Sequence, residues 1–198
     1  YNTASLKNVE VLTTQISCTD KRDAFFGNDQ IALGETQITK TVYLKRPFAQ
    51  LNIITTDISD IYASEIPGSF LPDAVTLPYQ GYKGFDVSTA EVTGSATTIS
   101  HTCAPYASLA NTPGVTAWTL TMDYILTTKA TESSQITNVV GLNWVVKHGT
   151  NQITSMDFSN IPLKRNYRTN ITGALLTNTA TYTVEILPGW TGELNPSI

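Results

Sequence analysis

The chain's main stock for acid–base, nucleophilic or metal chemistry is two histidines, two cysteines and sixteen acidic residues. His101 and Cys103 stand two apart in "SHTCAPYAS". Residues i and i+2 of a strand share a face, so a Cys–His nucleophilic pair is geometrically open. No orienting motif accompanies it, and no catalytic role is expected. His148 lies in "VVKHGTNQ", where an exposed hairpin-turn residue is expected. A structural zinc needs about four Cys or His ligands at loop spacings. Here the two of each are scattered. "DISD" lacks the glycine and distal glutamate of a calcium loop. No Gly-rich phosphate loop precedes a helix, and no spacing singles out two carboxylates for glycoside hydrolysis. The reading is therefore no enzyme, with no catalytic, cofactor-binding or metal-ligating residues and no cofactor expected.

Cys18 and Cys103 could form one bridge in an oxidising compartment. Both lie in polar, turn-rich stretches, and nothing in the sequence brings them together. Two free thiols are the favoured expectation, with the bridge left open.

A different pattern carries more information. In "PLKRNYRTNITGALLT" Lys164, Arg165 and Arg168 crowd into an apolar–polar alternation. "YLKRPFAQLNIITT" reads alike upstream: Leu-Lys-Arg, a loop-prone residue (Pro47 or Asn166), an aromatic (Phe48 or Tyr167), then a strand-like run containing Asn-Ile. Basic residues at strand ends resist unwanted pairing, and Pro47 removes a ladder donor and so marks an edge or bulge. Exposed arginines there would also suit a trypsin-like protease, which is the functional alternative.

These residues sit in a chain rich in strand signals. Charged residues make up only 14% of the 198, and roughly one residue in six is threonine, which suits the solvent face of a pleated strand. That composition inclines toward an exported β-protein. A net charge of −4 disfavours a phosphate-neutralising groove, so no nucleic-acid partner is expected. No apolar run is long enough to span a bilayer. The first residues show no signal-peptide pattern, although a mature or trimmed form would read the same way.

"AWTLTMDYILTT" alternates over ten residues, with Trp118, Leu120, Met122, Tyr124 and Leu126 on one face and Ile125 out of phase. A half-buried antiparallel strand is expected there. "ATYTVEILPG" repeats the alternation, with Tyr182, Val184 and Ile186 inward. "ITKTVYLKR" places Ile38, Val42 and Leu44 on one parity, "QLNIITT" Leu51 and Ile53, and "VVGLNWVVK" Val140, Leu142, Trp144 and Val146. Glycine- and asparagine-bearing turns separate the runs. Helical signal is confined to weak candidates at "SDIYASEIPG", capped by Ser59, and "APYASLANTPG". The aromatic loop of Tyr79, Tyr82 and Phe85 offers sugar stacking, but packing against a sandwich edge is the stronger reading. The polar stretch Thr93 to Ser100 suggests a boundary, giving units 1–95 and 96–198 with one Leu-Lys-Arg strand in each.

"RDAFFG" (Arg22 to Gly27), "KTVYLKRPFAQLNIITTD", "GFDVSTAEVTG" and "PLKRNYRTNITGALLTNTATYTVEILPGW" together resemble the fimbrillin-type surface proteins of Bacteroidales. The order of the motifs matches from about residue 20 onward. The resemblance implies two transthyretin-like antiparallel β-sandwich domains in tandem, the first incomplete at its N-terminus. It implies export as a lipoprotein to the outer membrane and cell surface, the lipid anchor itself lying outside this chain. It further implies pilus or surface-protein subunits as partners through strand exchange, with a host protein or glycan receptor as a further class. A strand-deficient sandwich exposes unpaired backbone and an apolar groove, which a neighbour's extended segment restores. The short, proline-bearing tail "TGELNPSI" makes a poor donor strand. An acceptor, anchor or accessory role in a fimbria is therefore expected ahead of a shaft subunit. The alternative is a carbohydrate-binding module of a surface glycan-uptake system.

Overall fold

Apolar side chains recurring every second residue build the molecule from strands. The computed structural model describes residues 3–11, 18–19, 22–58, 71–106, 117–132, 137–139, 142–177 and 181–188. In chain order the strands are β1 (Val9–Glu10), β2 (Phe48–Thr55), β3 (Ala74–Gly81), β4 (Gly84–Asp86), β5 (Glu91–Thr93), β6 (Thr97–Cys103), β7 (Trp118–Leu126), β8 (Thr137–Val139), β9 (Leu142–His148), β10 (Asn151–Phe158), β11 (Ile161–Leu163), β12 (Arg168–Gly173) and β13 (Tyr182–Leu187). A 3-10 turn covers Lys129–Glu132. The chain is all-β, as expected. The helical candidate at residues 59–68, the tail from 191 and most of "APYASLANTPG" fall outside the described residues.

Two four-stranded sheets, ordered β10-β9-β3-β6 and β13-β12-β2-β7, face each other as a sandwich. Leu51, Ile53, Trp118, Leu120 and Ile171 from one sheet pack with Val75, Leu77, Leu142, Trp144, Val146 and Phe158 from the other. A three-stranded sheet, β1-β4-β5, and a two-stranded one, β11-β8, complete the described strands. Both large sheets take strands from either side of residue 95, so a division into 1–95 and 96–198 does not follow the sheets.

β7 departs from the half-buried expectation in an instructive way. Its ladder with β2 pairs Ile53 with Thr121 and then Ile54 with Thr119, leaving Leu120 as the extra residue of a bulge. The bulge reverses the parity. Trp118 and Leu120 face the main core, as does Ile125, whereas Met122, Tyr124 and Leu126 join Phe26, Phe48, Phe85 and Ala90 in a second cluster on the opposite face. Ile125 falls out of phase with its sequence neighbours for that reason. The same second cluster covers the outer face of β2, so both strands are buried on two sides.

One strand pair is parallel: β12 lies beside β2, with Asn170 opposite Asn52 and Ile171 opposite Ile53. The two similar segments of the sequence are thus neighbours in one sheet. β13 closes that sheet's edge against β12, pairing Gly173 with Tyr182. A Cβ at Gly173 would run into the Thr181 carbonyl and the Tyr182 backbone, so the close approach of β13 requires glycine there. On β13, Val184 is exposed, not buried as the alternation suggests, because an edge strand here has core beneath only part of its length. The β9–β10 hairpin turns at Gly149, whose positive φ of 56° suits glycine.

Cys18 and Cys103 are joined in a disulfide, with Cα atoms 6.4 Å apart. This corrects the free-thiol expectation. Tertiary structure brings them together: Cys18 N–H donates to Met122 O at 3.0 Å, which sets it against the edge of β7, while Cys103 ends β6 in the facing sheet. The run 37–44 forms no strand. Ile38, Val42, Tyr43 and Leu44 are all exposed there, since the described chain offers neither a ladder nor a core to that segment.

Candidate functional site

Because β2 and β12 run parallel, the residues preceding them emerge at the same end of the sheet. The two Leu-Lys-Arg segments therefore converge. Lys45, Arg46, Glu132, Arg165, Asn166 and Tyr167 line a cleft of about 210 Å³ at that end.

Arg165 is the deepest member, 1% exposed. Its Nη1 donates to Glu132 Oε1 at 2.9 Å and to Ala90 O at 2.8 Å, and its Nη2 donates to Thr127 O. The guanidinium also lies 5.4 Å from the Phe85 ring centroid. Ala90 holds a positive φ of 60°, a conformation that costs a non-glycine residue, and Arg165 fixes its carbonyl. Burial pushes the Arg165 pKa down from its ordinary value, opposed by Glu132. Burial likewise pushes Glu132 up, but its hydrogen bonds from Arg165 and Lys45 outweigh that and hold it below the ordinary range.

Arg46 plays a related part in the other copy. Its guanidinium forks onto Asp23, with Nε 2.8 Å from Oδ1 and Nη2 2.8 Å from Oδ2, and it lies 4.4 Å from the Phe25 ring centroid. Phe26 exchanges both backbone hydrogen bonds with Lys45 at 2.9 Å and stacks edge-on against Phe85 at 4.8 Å. The "RDAFFG", Leu-Lys-Arg and "GFDVSTAEVTG" stretches are thus one packed unit. Neither arginine is a surface protease site: their chemistry is spent on Asp23, Glu132 and backbone carbonyls.

The turn Lys164–Tyr167 closes through Tyr167 N–H to Lys164 O at 3.1 Å, with Asn166 at φ 63°. Asparagine tolerates that left-handed conformation, which fits its place in the second copy. Lys164 Nζ lies 4.1 Å above the Tyr167 ring centroid. Lys45 is the exposed cation of the set and reaches Glu132 at 3.2 Å.

A second polar cluster lies inside the molecule. Arg22 pairs with Asp123 at 2.8 Å, both almost fully buried, and Tyr79 O–H donates to Asp123 at 3.3 Å. Burial raises the Asp123 pKa despite Arg22 and His101, and raises that of Tyr79 well above its ordinary value. His101 adjoins the Tyr79 ring at 6.3 Å, and burial lowers its pKa. The space among these groups, about 10 Å³, has no room for a substrate. Cys103 is bound to Cys18, so it offers no thiolate to His101. His148 contacts Leu71 O at 2.8 Å and Asp73 at 3.6 Å beside the β9–β10 turn. Tyr79 and Phe85 are 3% exposed, and Tyr82 packs against the second cluster, so this loop serves the core and presents no sugar-stacking platform.

The surface feature that sequence reasoning missed is an arm. Residues 28–45 are all exposed, and the Phe26–Lys45 bridge closes its base. Lys40 Nζ crosses it to Asp29 at 2.7 Å. Ile31, Leu33, Ile38, Val42, Tyr43 and Leu44 project from it, Leu33 at 92% exposure. Alternation in 37–44 was legible in the sequence; that nothing in the described chain covers it was not.

A sequence model of a family of unknown function, DUF6562, matches residues 1–197. None of the curated proteins matches the chain. Among solved structures, a candidate cell adhesion protein from Bacteroides ovatus is similar at TM-score 0.41 and 12% identity, over 77% of this chain and 49% of that one. One from Bacteroides uniformis is similar at 0.40 and 14%, over 77% and 54%. A third, from Bacteroides fragilis, gives 0.33 and 13%, over 83% and 53%. The chain spans about half the length of these structures.

Proposed function

We propose that this chain, which belongs to the DUF6562 family, is a non-enzymatic cell-surface structural or adhesive protein that joins its neighbours by β-strand addition. The carrying observation is the arm 28–45, with six apolar side chains held in solvent on a segment outside the sheets. Apolar side chains concentrated on one exposed segment mark an interaction surface. Extended backbone with unpaired groups supplies main-chain hydrogen bonds, and alternate side chains fill a neighbour's pockets. The sandwich itself offers an acceptor. β13 pairs only with β12 among the described strands and leaves its other edge open, whereas the far edge of the same sheet, β7, receives hydrogen bonds from Cys18 and Tyr106. The finer reading, an accessory or anchor subunit of a fimbrillin-type pilus exported as a lipoprotein, rests on the sequence resemblance.

Photo-cross-linking on intact cells tests this. A photoreactive residue at Leu33 is expected to capture a neighbouring surface subunit, and Val42→Asp in the arm to abolish capture. Equal capture from Ser95, an exposed turn position away from the arm, or none from Leu33, would refute it.

A further inference from the structure

The cleft at the converging Leu-Lys-Arg segments is independent of the arm's apolar surface, and its chemistry is different. Four cations, Lys45, Arg46, Lys164 and Arg165, stand around it against the carboxylates of Asp23 and Glu132. Glu91, the other nearby carboxylate, accepts from the Lys129 N–H at 3.0 Å. Local charge is thus positive in a chain of net charge −4. Arg46 is committed to Asp23 through a bidentate fork, and Arg165 is committed to Glu132 and two carbonyls. The cation left for a ligand is Lys45: it shares Glu132 with the buried Arg165, and its side chain is 57% exposed. An exposed lysine pair of that kind is weak and exchanges readily.

Arg165 is the buried floor of the cleft, its guanidinium turned to Glu132 and the Ala90 and Thr127 carbonyls. Around this charge stand the exposed Asn166 side chain, on the left-handed turn, and the Tyr167 ring, with Lys164 over it. A cation, an amide and an aromatic ring on a cleft of about 210 Å³ match one pyranose ring bearing a carboxylate. The geometry points to a binding site for acidic sugars, in which Lys45 receives the carboxylate, Asn166 a ring hydroxyl, and Tyr167 lines one wall.

The test is calorimetric titration of the purified chain with a galacturonate trisaccharide at low ionic strength. A neutral galactose trisaccharide and a glutamate-rich peptide are the comparators. Saturable binding of the acidic sugar alone is expected. Lys45→Ala should weaken it about tenfold or more, and molar salt should screen it. Lys147→Ala, on β9 of the other sheet, should leave it unchanged. Lys45 projects into solvent, so its truncation leaves the fold intact and decides the matter even if Tyr167→Ala does not fold. Several results would overturn the assignment: no saturation at millimolar sugar, equal binding of the neutral sugar, tighter binding of the peptide, or indifference to Lys45→Ala.

Discussion

Asn52 Nδ2 donates to Asn170 Oδ1 at 2.9 Å, across the parallel ladder of β2 and β12. Two residues earlier on each strand, Arg168 Nε donates to Gln50 Oε1 at 2.8 Å. On the opposite face of the same ladder, Leu51, Ile53 and Ile171 enter the main core. The repeated Asn-Ile of the sequence is thus one asparagine bond above one pair of core isoleucines. Removing either amide leaves the other, Asn52 buried or Asn170 half-buried, short of a partner. Asn52→Ala and Asn170→Ala should each cost about 1 kcal/mol in urea unfolding. The double variant should cost less than the sum, and strict additivity would show that the pair is not coupled.

Arg165 holds the junction of β12, the 3-10 turn and the Ala90 loop. Arg165→Met removes the charge, leaves the Ala90 and Thr127 carbonyls without this donor and leaves Glu132 to Lys45. Leaving buried carbonyls unsatisfied costs about 1–3 kcal/mol each. Arg165→Lys should recover only part of this, because one ammonium cannot span the three acceptors. A melting curve for each variant checks the order.

Native-state proteolysis should separate the arm from the body. Trypsin is expected to cut first after Lys40, on the exposed arm, and to leave the bond after the buried Arg165 intact until global unfolding. Mass spectrometry of early fragments decides it. Early cleavage after Arg165 would contradict its burial.

The Cys18–Cys103 bridge closes a loop with a sequence separation of 85. Chain entropy for loops of that size gives a stabilisation of about 4.5 kcal/mol. The double Cys→Ala variant, or the reduced protein, should unfold at correspondingly lower urea, and dithiothreitol should have no effect on the variant.

Two of the groups that contribute to the acid limb of stability can be separated by pH. Burial lowers the His101 pKa, so the folded state holds it neutral while the unfolded chain protonates near the ordinary value of about 6.5. Its contribution is present above that value and is lost as pH falls below it. Burial pushes Asp57 up, but the Thr55 hydroxyl, the Thr177 N–H and hydroxyl, and the Leu176 N–H outweigh it, so its folded pKa lies below the ordinary carboxylate range. Its contribution is present above the unfolded value and is lost as pH falls through the folded one. His101→Gln should flatten the decline that begins below about pH 6.5, and Asp57→Asn the decline in the carboxylate range, each read from urea midpoints against pH.

The sequence by itself determined the strand class and located β2, β7, β9, β12 and β13. Period-two alternation is a local property, and burying one face of a pleated strand demands it. It also marked the two Leu-Lys-Arg segments as equivalent. Tertiary structure decided what that equivalence means. A parallel ladder between residues 118 positions apart places both copies at one sheet end, where they bury Arg165, fork Arg46 onto Asp23 and leave Lys45 at a cleft. Alternation cannot say which strand lies beside which, because many registers satisfy the same pattern. Nor could it foresee the parity change at Leu120, since a bulge arises from the pairing of two strands and not from either alone. The disulfide was hidden for the same reason: Cys18 and Cys103 meet only after β6 and β7 have been folded into facing sheets.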